Sequence, residues 1–459
     1  MQRCKRLASW TVVTLLIAST RVQADSILDA ANCVLENNLS IKNAELSVRS
    51  TEYDSASTRG GLLPSLSLSA NTTYNRSVTE QNPDDDVKNG YNSYGYSLSL
   101  SQALFDPQTY FKYRNSRKNV DIEELKLLQR TQSVLSELAI AYLQYLKFSS
   151  QRSSTIIEQE SATQRLKQVS RNIELGNTPA NEIYEVRSQA LKIEQSLLGI
   201  NDSIEASVID IHKLTYQRVI PTYDVPTEFH PSHIEEPIRA ELNNALTLQN
   251  FDILIAELQF EKSRLDIRES QSAFAPTISA SASYSHNDSN NATDVAPPKT
   301  GRSETMNYSL NLSLPLIQGG VNYAGYQKSA VDYDIAKQSL QETVFTNSND
   351  LATSINSINQ LADSSPLLRD IVRANYSSFQ GISRAYSLGT RTLTDVLAAE
   401  TKLFGSVRDY NDNIYDYQIA QIRLATLLGE FDLDQLIALH QQMQPITEKR
   451  SIVDAFAEE

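Results

Sequence analysis

Leu63-Pro64-Ser65-Leu66-Ser67-Leu68-Ser69-Ala70 returns 212 positions later as Ala275-Pro276-Thr277-Ile278-Ser279-Ala280-Ser281-Ala282 (276 − 64 = 212). Tyr96-Ser97-Leu98-Ser99-Leu100-Ser101 returns at the same offset as Tyr308-Ser309-Leu310-Asn311-Leu312-Ser313. A third echo, Leu175-Gly176-Asn177 with Leu388-Gly389-Thr390, is offset by 213. Three matches in nearly one register over more than a hundred residues make the chain an internal duplication. The seam is the proline-rich run Pro221 to Pro237, which also holds Pro226 and Pro231. It divides the chain into repeat 1 (residues 25–225), repeat 2 (226–445) and a tail (446–459).

The echoed segments alternate. Leu66, Leu68, Ala70, Thr72 and Tyr74 interleave with Ser67, Ser69, Asn71 and Thr73, and Tyr94, Tyr96, Leu98 and Leu100 with Gly95, Ser97, Ser99 and Ser101. In the second copy Ile278, Ala280, Ala282 and Tyr284 keep the period, as do Met306, Tyr308, Leu310, Leu312, Leu314 and Leu316. A period of two makes one face apolar and the other small and polar. It predicts strands over about 64–75, 93–105, 276–286 and 306–317, near the roughly 9–11 residues that cross a bilayer at a tilt. Tyrosines at several strand ends suit an interfacial girdle. A soluble half-buried sheet alternates in the same way, so the strands alone leave both readings open.

What lies between the strands tips the balance. From Tyr110 to Leu175 there is no glycine and no proline, and Ile122, Leu125, Leu128, Leu135, Leu138, Tyr142 and Tyr145 recur at spacings of three, four and seven. Such a helix is about 100 Å long, too long for a compact domain. The second copy repeats the pattern from Tyr326 onward, with Val344, Leu351, Ile355 and Ile358 among Ser, Asn, Asp and Gln. A narrow apolar seam with wet flanks is a coiled-coil seam. Pro366 and Gly381 fall inside it, which predicts a break or kink there.

The N-terminus reads as an address. Arg3, Lys5 and Arg6 precede a short apolar stretch, Leu7 to Thr20, and Val22-Gln23-Ala24 ends on a small residue. Residues 1–24 are therefore expected to be a signal peptide. No later stretch offers the roughly 20 consecutive apolar residues of a membrane helix, so any membrane crossing falls to the strands. The chain has 41 basic and 55 acidic residues; removing Arg3, Lys5, Arg6 and Arg21 leaves 37 − 55 = −18. That balance argues against nucleic acid and against a basic membrane-surface protein. Cys4 leaves with the signal, so Cys33 has no disulfide partner, and no Leu-x-x precedes it as a lipid-anchor site would require.

Four strands cannot close a membrane barrel, and open edges in lipid strand backbone groups without partners. Two chains would give eight strands and a filled interior; three give twelve and a lumen. The small side chains of Ser67, Ser69, Ser97, Ser99, Ser279, Ser281, Asn311 and Ser313 favour the open, water-filled option. The expected fold is mainly α with a β-barrel portion: a trimeric channel-tunnel, four strands per chain forming a shared twelve-stranded transmembrane β-barrel continuous with a coiled-coil α-barrel. The hairpins turn through polar loops, Asn75 to Gly90 and Ser285 to Thr305, while the other strand ends run into helices. Long loops face outside in such barrels, which puts the helical body in the periplasm of a Gram-negative cell and the strands in its outer membrane.

Leu314-Pro315-Leu316-Ile317-Gln318-Gly319-Gly320 and Tyr386-Ser387-Leu388-Gly389-Thr390-Arg391-Thr392-Leu393-Thr394-Asp395-Val396-Leu397 closely resemble the TolC family of outer-membrane efflux and secretion channels. The likeness covers nearly the whole mature chain and is nearer to the members without a lipid anchor. It implies a homotrimer in the outer-membrane lipid that acts as a passive gated conduit for drugs, small molecules or proteins, in tripartite efflux or type I secretion. It also implies a periplasmic adaptor (membrane fusion) protein and an inner-membrane pump of the RND, ABC or MFS type.

The same resemblance assigns the gate. Its tyrosine, arginine and first aspartate fall on Tyr386, Arg391 and Asp395, and its threonine–aspartate pair on Asn181 and Glu182. Arg391 offers a planar fork of donors to Glu182 or Asn181, a link worth about 0–1 kcal/mol if exposed, which suits a gate that an adaptor must open. The adaptor-docking turns fall on Gly176, Gly389 and Thr390. One departure matters: a second aspartate of the family's acidic ring is Ala398 here. Under the offset of 213, Ala398 corresponds to Glu185, which is expected to form a constriction ring with Asp395. A solvent-facing Glu185 on the tunnel exterior is the competing reading.

The chain shows no Walker loop, nucleophile elbow or zinc-protease helix, so no enzyme and no cofactor are expected. His212, His230, His233, His286 and His440 are scattered; His230 and His233 have a spacing a metal could use but sit in the seam. A soluble periplasmic coiled-coil scaffold is the alternative function; it explains the helices but not four strands with tyrosine ends. Only Met306 and Met443 survive signal removal. A copper or silver exporter would be richer in methionine, so the expected cargo is drugs, peptides or secreted proteins.

Overall fold

The computed structural model describes residues 26–80, 86–176, 179–217, 219–226, 231–290 and 300–446. The expected signal peptide, residues 447–459 of the expected tail, Asn177, His230 and the middles of both hairpin loops lie outside the described residues. Repeat 1 runs α1 (Ile27–Asn37), α2 (Leu39–Gly60), β1 (Ser65–Glu80), β2 (Asp86–Phe105), α3 (Pro107–Glu174) and α4 (Glu182–Thr215). The seam holds β3 (Tyr223–Asp224). Repeat 2 runs α5 (Glu236–Gln249), α6 (Phe251–Ser272), β4 (Thr277–Asn290), β5 (Thr300–Ser313), α7 (Val321–Ser387) and α8 (Leu393–Leu428), then α9 (Leu433–Gln442) and β6 (Gln444–Pro445).

α3 forms as its lack of internal glycine and proline demands. α3 has 68 residues, starts on Pro107 and is capped by Asp106, which accepts from the Thr109 N–H at 3.0 Å. α7 has 67 residues, so each is about 100 Å long. The expected break at Pro366 and Gly381 is absent: α7 is one continuous helix through both. Pro366 costs the helix one hydrogen bond, but Ala362, Ser365 and Val372 on either side are buried, and that packing keeps the chain helical across it.

The four long strands form one antiparallel sheet in the order β1-β2-β4-β5. They have 16, 20, 14 and 14 residues, longer than the alternation predicts at the loop ends, because the ladders continue into polar residues. β5 stops at Ser313 rather than near 317, since Pro315 has no N–H to give the ladder. Within one chain β1 pairs only with β2, and β5 only with β4, so both edges are open. The apolar face is uncovered, with Leu66, Leu68, Tyr74, Leu310 and Leu312 all exposed. Among the described residues no helix is long and apolar enough to cross a membrane.

The duplication is repeated in the capping asparagines of one joint. Asn38 caps α2, accepting from the N–H groups of Ser40 and Ile41, and its Nδ2 donates to Leu214 O at 3.0 Å. Asn250 caps α6, accepting from Ile253 N–H, and its Nδ2 donates to Leu427 O at 2.7 Å. In each repeat one buried amide thus bolts a short helix to the end of α4 or α8. The β3–β6 pair joins the seam to the end of repeat 2 at this level, as part of the belt of short segments that the family resemblance implies. Tyr142 donates to Tyr223 O at 3.2 Å, Tyr415 to Asp224 Oδ1 at 2.8 Å and Tyr417 to Ser232 O at 3.0 Å. The largest apolar cluster, with Leu138, Tyr142, Leu143 and Leu146 of α3 and Ile27 and Val34 of α1, lies beneath the belt. Burial pushes the Tyr142 and Tyr415 phenols up.

Candidate functional site at the helical tip

Far from the sheet, both long helix pairs turn on a glycine. After α3, Gly176 takes φ +75° and its N–H bonds Ile173 O at 3.0 Å. After α7, Gly389 also takes φ +75°; its N–H bonds Tyr386 O at 2.9 Å, and the Thr390 N–H reaches Ala385 O at 3.0 Å. This is the double bond of a Schellman turn, and the positive φ explains why glycine recurs. Gly176, Gly389 and Thr390 are all exposed at the extremity of the chain.

Inside the turns Val169, Val186 and Leu393 are buried together, flanked by Leu166, Ile173, Tyr386 and Leu397. The cluster draws on α3, α4, α7 and α8, so it fixes the four helix ends relative to one another. Tyr386 is half-buried at its margin; burial and then the charge of Glu182 push its phenol up, against an opposing Arg165. Glu182 lies in the first turn of α4, and its Oε2 is enclosed without a hydrogen-bond partner. Asn181 precedes it, exposed and making no side-chain cap.

Arg391 is exposed, with Nη1 4.0 Å from Asp395 Oδ2. Within one chain it makes no ion pair or hydrogen bond with Glu182 or Asn181 among the described residues. Asp395 is engaged elsewhere: Thr392 and Asp395 form a capping box at the start of α8. The Thr392 N–H donates to Asp395 Oδ2 at 3.1 Å, and the Asp395 N–H to Thr392 Oγ1 at 3.2 Å. The backbone and then the side chain of Thr392 hold the Asp395 carboxyl below the usual carboxylate range, with Arg391 a lesser cause.

Glu185 and Ala398, paired by the repeat offset, line one cleft of about 690 Å³ with Thr394, Lys192 and Lys402. Glu185 Oε2 accepts from Thr394 Oγ1 at 2.7 Å. Sequence reasoning missed Thr392 and Thr394, although Thr392-x-x-Asp395 is a readable capping pattern. It also missed Arg165, whose Nη2 lies 3.6 Å from Glu400 Oε2; no local pattern marks a partner 235 positions away (400 − 165 = 235). His233 of the seam pairs with Asp363 at 2.7 Å.

Known proteins share this fold. The sequence model of the family described as outer membrane efflux protein matches residues 31–215 and 242–430, one segment in each repeat. The outer membrane protein TolC of Salmonella enteritidis is 24% identical over 451 residues, covering 96% of this chain and 90% of that one. The proteases secretion protein PrtF of Dickeya chrysanthemi is 21% identical over 460 residues, 98% of each chain. The Campylobacter jejuni CmeC outer membrane channel superimposes with a TM-score of 0.75 at 17% identity, covering 90% of this chain and 89% of that one. The family is one of transport rather than catalysis, and its outer-membrane setting removes the soluble-scaffold alternative. The chain belongs to the outer membrane efflux protein family and is an outer-membrane channel of an efflux or secretion system.

Proposed function

We propose that three copies of this chain form one passive, gated conduit, sealed in the lipid by twelve strands and closed at the periplasmic tip. The observation that carries the reading is the sheet: four strands with two open edges and an uncovered apolar face, continuous with helices of 68 and 67 residues. Open edges in lipid are untenable, so neighbouring copies must supply the missing partners.

The tip acts as the gate. Glu182 Oε2 lacks a partner, and Arg391 is exposed and holds Asp395 only at the long limit of an ion pair. Arg391 of one copy therefore links to Glu182 or Asn181 of the next, a contact weak enough for an adaptor to open. The adaptor engages the turns at Gly176, Gly389 and Thr390, and an inner-membrane pump supplies the energy. The secretion function named for PrtF and the channel function named for CmeC support protein or small-molecule cargo. Single-channel recording in planar bilayers tests the gate: Arg391→Ala should raise the resting conductance severalfold over the parent trimer. Unaltered conductance would remove Arg391 from the gate, and a monomer that conducts nothing would sink the conduit.

A further inference from the structure

We propose that a groove between α7 and α8, partway along the tunnel, binds organic cations with an apolar body; this rests on the conduit reading above.

α8 has two opposed faces. Tyr415 and Tyr417, about 160° apart around the helix, reach the belt segments at Asp224 and Ser232, so the belt spans the arc between them. At 3.6 residues per turn, Asp409, Asp412 and Asp416 project on the opposite side, in one stripe with Ala398 and Lys402. A belt inside the tube would plug it, so the belt is exterior and the aspartate stripe lines the bore.

On that side the groove has a volume of about 420 Å³. Its two walls differ in chemistry. The α7 wall is apolar, with Leu368 and with Leu367 and Ile371, which are 63% and 47% exposed. The α8 wall carries the three aspartates. Asn413, 5% exposed, lines the groove between them; its Nδ2 donates to Leu361 O at 3.2 Å, while its enclosed Oδ1 has no partner. That oxygen is independent of the carboxylates and asks for the same thing, a donor or a positive charge.

The chain's own cations leave the demand unmet. Lys147 Nζ lies 2.8 Å from Asp416 and 4.0 Å from Asp412, and Gln151 donates to Asp412 at 2.8 Å. Asp409 has no ion pair or hydrogen bond among the described residues. Three carboxylates against one ammonium leave −3 + 1 = −2 per copy, enough to repel anions. A small hydrated cation would make no use of the leucine wall, whereas an apolar body gains about 25 cal/mol for each Å² it covers. Charge and apolar surface together select a lipophilic cation.

Equilibrium binding of tetraphenylphosphonium to the full-length detergent-solubilised trimer tests the groove, with single-channel conductance measured on the same preparations. Asp409→Asn, an exposed and near-isosteric change, should weaken binding at least tenfold, and Leu367→Ser with Ile371→Ser should do the same. Tetramethylammonium, with the charge but little apolar body, should bind at least tenfold more weakly than tetraphenylphosphonium. Conducting trimers whose affinity is indifferent to Asp409→Asn, or that bind both cations equally, overturn the groove and leave the conduit standing. A parent that does not conduct overturns the conduit and the bore-lining assignment with it.

Discussion

Thr394 Oγ1 donates to Glu185 Oε2 at 2.7 Å, joining the first turn of α8 to the first turn of α4 across 209 residues of chain. The bond fixes where the Glu185 carboxylate sits, in the cleft that also contains Ala398. The cleft thus brings an acid of the first repeat together with position 398, where the family resemblance expects one. Glu185→Gln keeps an acceptor for Thr394 but removes the charge. It should lower cation-over-anion permeability severalfold while leaving conductance near the parent value, and Glu185→Ala should change both. Equal reversal potentials in a salt gradient for the parent and Glu185→Gln would place the carboxylate outside the ion path.

The capping box gives the tip its acid sensitivity. Hydrogen bonds from Thr392 hold the folded Asp395 carboxyl below its ordinary value of 3.8. A carboxylate lowered on folding binds protons more readily when unfolded, so its contribution is fully present above pH 3.8 and is lost as pH falls through the lower folded value. Below about pH 4 the start of α8 should therefore fray, with faster amide exchange at Leu393 to Val396. Thr392→Ala should produce the same fraying at neutral pH, since losing an N-cap costs about 1 kcal/mol. Exchange rates in Thr392→Ala that match the parent would show the box to be idle.

The architecture was legible because it rests on periodicity. The alternation around Leu66 and Leu310 and the glycine-free run of α3 are one-dimensional patterns, and the 212-residue offset doubled each signal. Strand ends were less legible, because ladder hydrogen bonds need no apolar side chain and run on to Glu80 and Asn290. The break expected at Pro366 is absent because a helix packed along one side survives the loss of one bond. At the tip, the resemblance named Arg391 and Asp395, but not that Asp395 is held by Thr392 or that Thr394 holds Glu185. Those partners depend on how four helix ends converge. The repeat offset did carry Glu185 to Ala398, as it would have carried Asn38 to Asn250.

The offset also sets up an asymmetric pair of helix ends. Tyr216 after α4 and Gly429 after α8 are 213 positions apart (429 − 216 = 213), and both take positive φ, 56° and 79°. Tyr216 is exposed and bears the left-handed strain, about 1–2 kcal/mol for a residue with a Cβ. Tyr216→Gly should therefore be neutral or stabilise by about 0.5 kcal/mol once the greater flexibility of glycine is offset. Gly429 has no such latitude, because a Cβ there would overlap Gln249 O at the α5–α6 joint. Gly429→Ala should cost about 2 kcal/mol or more, combining strain and overlap. Thermal dissociation of the trimer separates the two; similar shifts for both variants would mean that the joint yields.

The last prediction concerns the ion pairs along the seam between α3 and α8. Lys147 meets Asp416 at 2.8 Å, Arg408 meets Glu158 at 2.6 Å and Arg165 lies 3.6 Å from Glu400. The paired positions sum to 563, 566 and 565, so one antiparallel register satisfies all three. The Glu158 and Glu400 side chains are each only 6% exposed, so each leaves an uncompensated cation nearby when removed. Glu400→Ala should destabilise the trimer by about 3 kcal/mol, the low end for breaking a buried pair because the Arg165 side chain is 12% exposed. It should also free Arg165 to act more strongly on Tyr386 and Glu182, lowering the Tyr386 phenol toward its ordinary range. Replacing both partners, Arg165→Met with Glu400→Leu, should recover most of the stability but not the register. The double variant would then dissociate at near-parental temperature with a broader spread of conductance levels. If Glu400→Ala melts like the parent, the seam is held by its apolar neighbours and the charges only decorate it.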